Sequence, residues 1–139
     1  VLGNVSPAKL AAQMVRSGVL VAPTLADEWM LAVNEALQAG LPIIGSVHSQ
    51  AVSTLIRDGV NGWQYDPTEP NSFARAMDFY LSESECRIAE MRSESRASVA
   101  ERTPEWAAAG AMRALRSVLG QGQPSGNRPQ QTTAELDAS

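Results

Sequence analysis

The chain has 139 residues, of which 44% are hydrophobic, and it carries a formal net charge of −4 at neutral pH. This length suits one domain with a single core, and the acidic balance excludes the basic surface that nucleic-acid-binding domains use, so no nucleic-acid partner is expected. The only cysteine, Cys86, excludes an internal disulfide and makes the cytoplasm the expected compartment.

Apolar runs that are typical of strands alternate with short helical patterns through the first half of the chain. The first helix is expected to begin after Ser6, an N-cap that precedes Pro7, and to end at Gly18 as a left-handed C-cap. Gly40 is expected to end the second helix, and the hydroxyl of Ser49 to cap the third. We predict buried strands over residues 19–22 and 42–46, a weaker strand over 60–65, and a helix over 31–39 between the first two strands.

Helical patterns follow one another in the second half of the chain. Apolar residues spaced at i, i+3, i+4, i+7 and i+8 predict a helix with one apolar face, made of Phe73, Ala76, Met77, Tyr80 and Leu81. Residues 83–102 are charged and rich in serine, with a thinner apolar stripe at Ile88, Met91 and Val99, which predicts a surface-exposed helix. A last helix begins at Pro104. Residues 121–139 are almost devoid of apolar side chains, so we expect a disordered tail after a domain over residues 1–120.

Strands that alternate with helices predict an α/β fold with a parallel sheet, because right-handed crossovers join parallel strands. Three strands with flanking helices make a partial Rossmann-like sheet, and the later helices form a helical C-terminal extension. The sequence begins at Val1 within what we interpret as a strand, so further strands are expected upstream. In such sheets ligands bind outside the carboxyl ends of the strands, which here are residues 23–29 and 47–50.

Two acids bracket the start of the helix that follows the first of these loops. The N–H groups at a helix start favour an anion such as phosphate. Glu35 lies about 7 Å along the helix axis from Met30, which suits a carboxylate that accepts hydrogen bonds from a ribose beside the phosphate. Asp27 could accept from sugar hydroxyls on the other side. The alternative is that Asp27 caps the helix, Glu28 is a first-turn acid and Glu35 is an ordinary solvated side chain.

The segments DEWMLAVNEALQAGLPIIGS, residues 27–46, and HSQAVSTLIRDGVNGWQYDP, residues 48–67, resemble the nucleotide-sugar-binding region of family-4 glycosyltransferases. These are retaining enzymes with the GT-B fold. Their pattern is a glutamate, seven residues and a second glutamate, commonly E-G-F-G-L-P-V-L-E, followed by A-x-x-G-x-P-V-I-x-S. The resemblance covers residues 1–66 in one register and extends loosely to residue 119. It implies that the chain is part of the C-terminal, donor-binding half of such an enzyme.

The resemblance implies roles for five residues. Glu35 matches the second glutamate, which binds the ribose, and Asp27 matches the first, which contacts the donor sugar. Met30, Leu31 and Ala32 match the positions whose backbone approaches the diphosphate and the sugar. The sequence departs from the family at Asp27, which is one methylene shorter than glutamate, and at Met30, where the family usually has glycine.

The loop after the second strand contains His48, the only histidine of the chain. His48 either faces solvent or contacts the donor, and no family role can be carried over because the residues around it replace a small, glycine-containing loop. One histidine without further ligands at suitable spacing indicates no metal site.

By the resemblance, the intact protein transfers a hexose or related sugar from a nucleoside-diphosphate donor with retention, and it requires no metal or other cofactor. The acceptor is a polysaccharide, a lipid or a small molecule, and such enzymes work on the cytoplasmic side of membranes, with peripheral association here expected through the missing N-terminal domain. That domain and the family's basic G-R-x-x-x-x-K-G stretch are not found in the sequence, so we expect the chain alone to be inactive. The alternative is a degenerate, non-catalytic α/β module that binds nucleotide or a partner protein.

Overall fold

The computed structural model describes residues 3–120, and the chain divides into two compact units, Val1–Arg102 and Thr103–Ser139. Within the described residues, the first unit contains a three-stranded parallel sheet in the order β1-β2-β3. The strands are β1 (Leu20–Ala22), β2 (Ile43–Ser46) and β3 (Gly62–Tyr65), and the helices of this unit are α1 (Pro7–Arg16), α2 (Leu31–Gln38), α3 (Gln50–Leu55), α4 (Ser72–Ser82) and α5 (Glu85–Val99). The α/β class and the partial Rossmann-like sheet predicted from the sequence are therefore confirmed.

The register of the sheet places consecutive strands side by side. Val21 pairs with Ile44, and Ile44 pairs with Trp63. Because α2 and α3 connect these strands, all three carboxyl ends lie at the same edge of the sheet. The loops that follow β1 and β2 are therefore brought to one place.

Two groups of buried side chains form the core of the first unit. The first group joins Ile43 of β2 to apolar residues of α2 and α3, including Leu37 and Val52. The second group surrounds Ile44 and Trp63 and includes residues of α4 and α5. Since neighbouring residues of a strand point to opposite faces, Ile43 and Ile44 contribute to different groups. Burial on both faces explains the continuous apolar run that predicted β2.

The structure confirms two predicted helix ends and corrects two others. Ser6 caps α1 by accepting from the Lys9 N–H at 3.4 Å, and Gly40 follows α2 with a φ of +78°. Gly18 is not a left-handed cap, because α1 already ends at Arg16 with an extended residue after it. A side chain at position 18 would instead lie 2.9 Å from a tyrosine hydroxyl of α4. Ser49 occupies the cap position of α3, but its hydroxyl makes no capping hydrogen bond.

The prediction of a surface-exposed helix over residues 83–102 is wrong for one side of α5. Met91, Ser95 and Val99 are buried, and α5 packs against α2. These three residues are four positions apart, so they lie on one side of the helix. The polar Ser95 interrupts the apolar pattern, which is why hydrophobicity alone underestimates this contact.

The apolar face predicted for α4 is only partly buried. Ala76 is 3% exposed and packs in the second core group, whereas Phe73 and Leu81 are 42% and 69% exposed. Phe73 is held instead by an edge-on ring contact with Tyr65, with the ring centroids 5.2 Å apart. The predicted helix is therefore confirmed, but fewer of its apolar residues are buried than the periodicity predicts.

The second unit is described by one helix, α6 (Pro104–Gly120), which confirms the helix predicted to begin at Pro104. Among the described residues no helix is long and apolar enough to span a membrane. The tail predicted over residues 121–139 lies outside the described residues, and the domain predicted over residues 1–120 stays a prediction.

Candidate functional site

The loops that follow β1 and β2 are joined by backbone hydrogen bonds. The Asp27 N–H donates to the His48 carbonyl at 3.2 Å, and the Gln50 N–H donates to the Asp27 carbonyl at 3.1 Å. The two bonds form an isolated parallel bridge between Asp27 and Ser49. Asp27 and His48, which the sequence places in separate loops, thus lie on adjacent segments at the carboxyl edge of the sheet.

The start of α2 is not capped by a side chain. Met30 occupies the N-cap position in an extended conformation, with φ −71° and ψ 100°, and its side chain makes no capping hydrogen bond. The Val33 N–H donates to the Met30 carbonyl at 3.0 Å, while the N–H groups of Leu31 and Ala32 have no acceptor within residues 3–120. Such N–H groups, at the positive end of a helix dipole, are suited to bind an anion.

This geometry rejects part of the alternative interpretation of the acids. Asp27 is not the N-cap of α2, because Met30 takes that position, and the first turn of α2 contains no acidic residue. Glu28 therefore precedes the helix instead of stabilising its first turn. Glu35 lies on the second turn of α2 and is exposed to solvent, so its carboxylate is free to accept hydrogen bonds from a ligand.

A groove of about 440 Å³ lies between α1 and α2, and Glu35 stands on its wall. Most of the residues that line the groove are apolar, and Glu35 is the one charged residue among them. The remaining lining residues are Pro7, Leu10, Ala11, Met14 and Val15 from α1 and Gln38 and Ala39 from α2 and its end. A flat organic group beside Glu35 would find both an acceptor and an apolar surface here.

Two buried polar atoms in these segments have no hydrogen-bond partner in the described part of the chain. They are Oδ1 of Asn34, the residue before Glu35, and the hydroxyl of Ser49, the residue bridged to Asp27. Buried polar atoms are usually paired, so each needs a water or a ligand atom. The sequence analysis did not single out Asn34. Asparagine is unfavourable inside a helix, so its presence within the predicted helix could have indicated a special role.

A third loop reaches the same edge of the sheet through Asp66, which directly follows β3. Nε2 of His48 lies 3.4 Å from Oδ1 of Asp66. The same oxygen accepts from the hydroxyl and the N–H of Thr68 at 2.6 and 2.8 Å. The Thr68 hydroxyl, then the Thr68 N–H, and to a smaller extent His48 lower the pKa of Asp66 below its ordinary value. The sequence carries no local signal for this pair, because 17 residues lie between its members in the chain.

The site is poor in positive charge. Residues 23–32 and 47–50 contain neither lysine nor arginine. Within residues 3–120 no three side chains of His, Cys, Asp or Glu come together in the way that a metal site requires. The N–H groups at the start of α2 and the His48 side chain are among the groups that can meet an anion at this edge.

Residues 1–106 match the family model described as glycosyl transferases group 1. The matched segment includes the three strands, α1 to α5, and both loops that form the site. No individually curated protein gives a significant match to the chain.

Proposed function

Because the chain belongs to the glycosyl transferases group 1 family, we propose that it binds a nucleoside-diphosphate sugar at the carboxyl edge of its sheet, for sugar transfer with retention of configuration. The observation that carries the proposal is the uncapped start of α2, with Asp27 before it and Glu35 after it. The acceptor is a polysaccharide, a lipid or a small molecule, and we place the reaction on the cytoplasmic side of a membrane.

Each part of the donor has a counterpart in the site. The diphosphate accepts hydrogen bonds from the N–H groups of Leu31 and Ala32, where the helix dipole favours negative charge. Glu35 accepts from the ribose hydroxyls, and Asp27 from hydroxyls of the sugar. When the bond between the sugar and the diphosphate breaks, the diphosphate keeps the electron pair, and the oriented N–H groups stabilise its growing charge.

Methionine in place of the family's glycine is compatible with this arrangement. The backbone of Met30 adopts a conformation that any residue tolerates, and its side chain packs against the first core group. The methionine therefore leaves the N–H groups that follow it accessible. Asp27 is the more consequential departure, because its shorter side chain must reach the sugar from a loop held by His48 and Gln50.

The second candidate function is a non-catalytic module that binds nucleotide or a partner protein. The absence of lysine and arginine from residues 23–32 and 47–50 favours it, because a leaving diphosphate needs compensating positive charge. For the same reason we propose that the 139-residue chain transfers no sugar by itself. Release of sugar or nucleotide from a donor by the purified chain would contradict this. From the resemblance to family-4 enzymes we also propose that no metal or other cofactor takes part.

Nucleotide titration tests the proposed role of Glu35. We expect UDP, GDP or ADP to perturb the backbone amide signals of Leu31 and Ala32, and Glu35→Ala to weaken binding about tenfold or more, because a charged acceptor contributes about 1.5–3 kcal/mol. Glu28→Ala is the matched control, since it removes the same charge from an exposed position outside α2 and should change the affinity less than twofold.

A ligand without the ribose hydroxyls separates a direct contact from a general charge effect. The 2′,3′-dideoxy diphosphate should bind the wild-type chain as weakly as the normal ligand binds Glu35→Ala, and the two changes together should add little further loss. Equal affinities for Glu35→Ala and Glu28→Ala would remove Glu35 from the site. A chain that binds none of the nucleotides would refute the proposed function.

A further inference from the structure

The loop after β2 is attached to its neighbours on both sides. On one side its backbone joins Asp27 through the two hydrogen bonds of the Asp27–Ser49 bridge. On the other side the imidazole of His48 faces the carboxylate of Asp66. His48 contributes to both attachments, because its carbonyl accepts from Asp27 while its ring meets Asp66.

Asp66 is a fixed partner for this contact. Its carboxylate is oriented by the hydroxyl and the N–H of Thr68, and its own N–H donates to the Ser72 hydroxyl at 2.9 Å. The Val47 N–H also donates to the Tyr65 carbonyl at 3.0 Å, so the loop begins against the end of β3. The contact therefore joins the His48 side chain, which is 40% exposed, to a carboxylate that is 35% exposed and oriented by Thr68.

The geometry points to His48 as a positioning residue: its contact with Asp66 holds the loop of residues 47–50 so that the loop, through its backbone bridge, sets the place of Asp27. The consequence of this contact rests on the proposed function. If Asp27 binds the donor sugar, His48 governs recognition of that sugar through Asp27, and it leaves recognition of the nucleotide through Glu35 unchanged. His48 does not touch the donor in this scheme.

Amide hydrogen exchange on the full 139-residue chain without ligand tests the attachment itself. The readout is the protection factors of the Asp27 and Gln50 N–H groups, which donate in the bridge. We expect both to fall about threefold or more in His48→Phe and in Asp66→Asn relative to the wild type at the same pH.

Two comparisons separate this role from a general loss of structure. In His48→Gln the amide nitrogen stands close to the position of Nε2, so protection should stay near the wild-type value. The Ile43 N–H, which donates to the Asn61 carbonyl at the opposite edge of the sheet, should be unchanged in all variants. Wild-type protection of Asp27 and Gln50 in both His48→Phe and Asp66→Asn would overturn the inference.

Ligand affinity tests the consequence. We expect His48→Phe to weaken binding of UDP-glucose or GDP-mannose about threefold or more, and to change binding of UDP or GDP less than twofold. An equal loss for the sugar nucleotide and the free nucleotide would overturn the link to Asp27. If the wild-type chain binds no nucleotide, the proposed function fails, whereas the exchange experiment still decides whether His48 holds the loop.

Discussion

Asn61 is a fully buried amide that holds the connection between α3 and β3. Its Nδ2 donates to the Leu55 carbonyl at 3.0 Å, and its Oδ1 accepts from the Arg57 N–H at 2.8 Å. Asn61→Ala leaves the buried Leu55 carbonyl without a donor, which costs about 2 kcal/mol, and the Arg57 N–H, which is nearer to solvent, adds about 1 kcal/mol. We therefore expect the free energy of unfolding to fall by about 3 kcal/mol, a large part of the roughly 5–15 kcal/mol typical of a domain.

Urea unfolding followed by circular dichroism measures this loss. Asn61→Leu keeps the number and branching of the side-chain heavy atoms, although its methyl groups are bulkier, and it removes both hydrogen bonds, so it should lie within about 1 kcal/mol of Asn61→Ala. Thr54→Ala, an exposed change on α3, should lie within about 0.5 kcal/mol of the wild type. A loss below about 1 kcal/mol in both Asn61 variants would refute the reasoning, because the freed backbone groups would then have found other partners.

Two further predictions concern the sheet and its carboxyl edge. Gly45→Ala places a methyl group 2.5 Å from a methyl of Val52, so it should lower the free energy of unfolding by about 1–3 kcal/mol, and Val52→Ala in the same chain should recover part of that loss; additive losses would contradict the clash. Thr68→Val removes the donor that lowers the pKa of Asp66 most, so an NMR titration should show that pKa rising toward 3.8. A lowered pKa in the folded state stabilises the protein above the ordinary pKa, and this stabilisation is lost as the pH falls through the lowered value. Thr68→Val should therefore lose less stability than the wild type as the pH falls below 3.8; equal acid dependence would contradict the contact.

Features that depend on a few neighbouring residues were predicted well. Ser6 and Pro7 mark the start of α1, and Gly40 marks the end of α2, because cap chemistry is local to one turn of chain. The apolar run around Ile43 and Ile44 predicted a strand that is buried on both faces. The roles of Asp27, Met30, Leu31, Ala32 and Glu35 in donor binding stay predictions.

Features that depend on packing between distant segments were missed. Nothing within residues 83–102 indicates that Val99 packs in the core group of α2 or that Met91 packs in the group around Ile44. The sequence pattern predicts a cap at Gly18, whereas the structure shows no left-handed backbone there and places the position close to a tyrosine hydroxyl of α4. Ser49 has the residue type of a cap, but its backbone bridges to Asp27 while its hydroxyl stays unpaired.

By itself the sequence determined the alternation of strands and helices, the parallel sheet and the family, because periodicity and cap residues act over a few positions and the motif lies within one continuous segment. Only the tertiary structure decided that Asp27 is bridged to the loop of His48 and that Asp66 faces His48. The physical reason is the register of the parallel strands, which brings the ends of β1, β2 and β3 to one edge although they are far apart in the chain. The motif predicts that Asp27 and Glu35 contact the donor, and the sheet determines which loops surround Asp27.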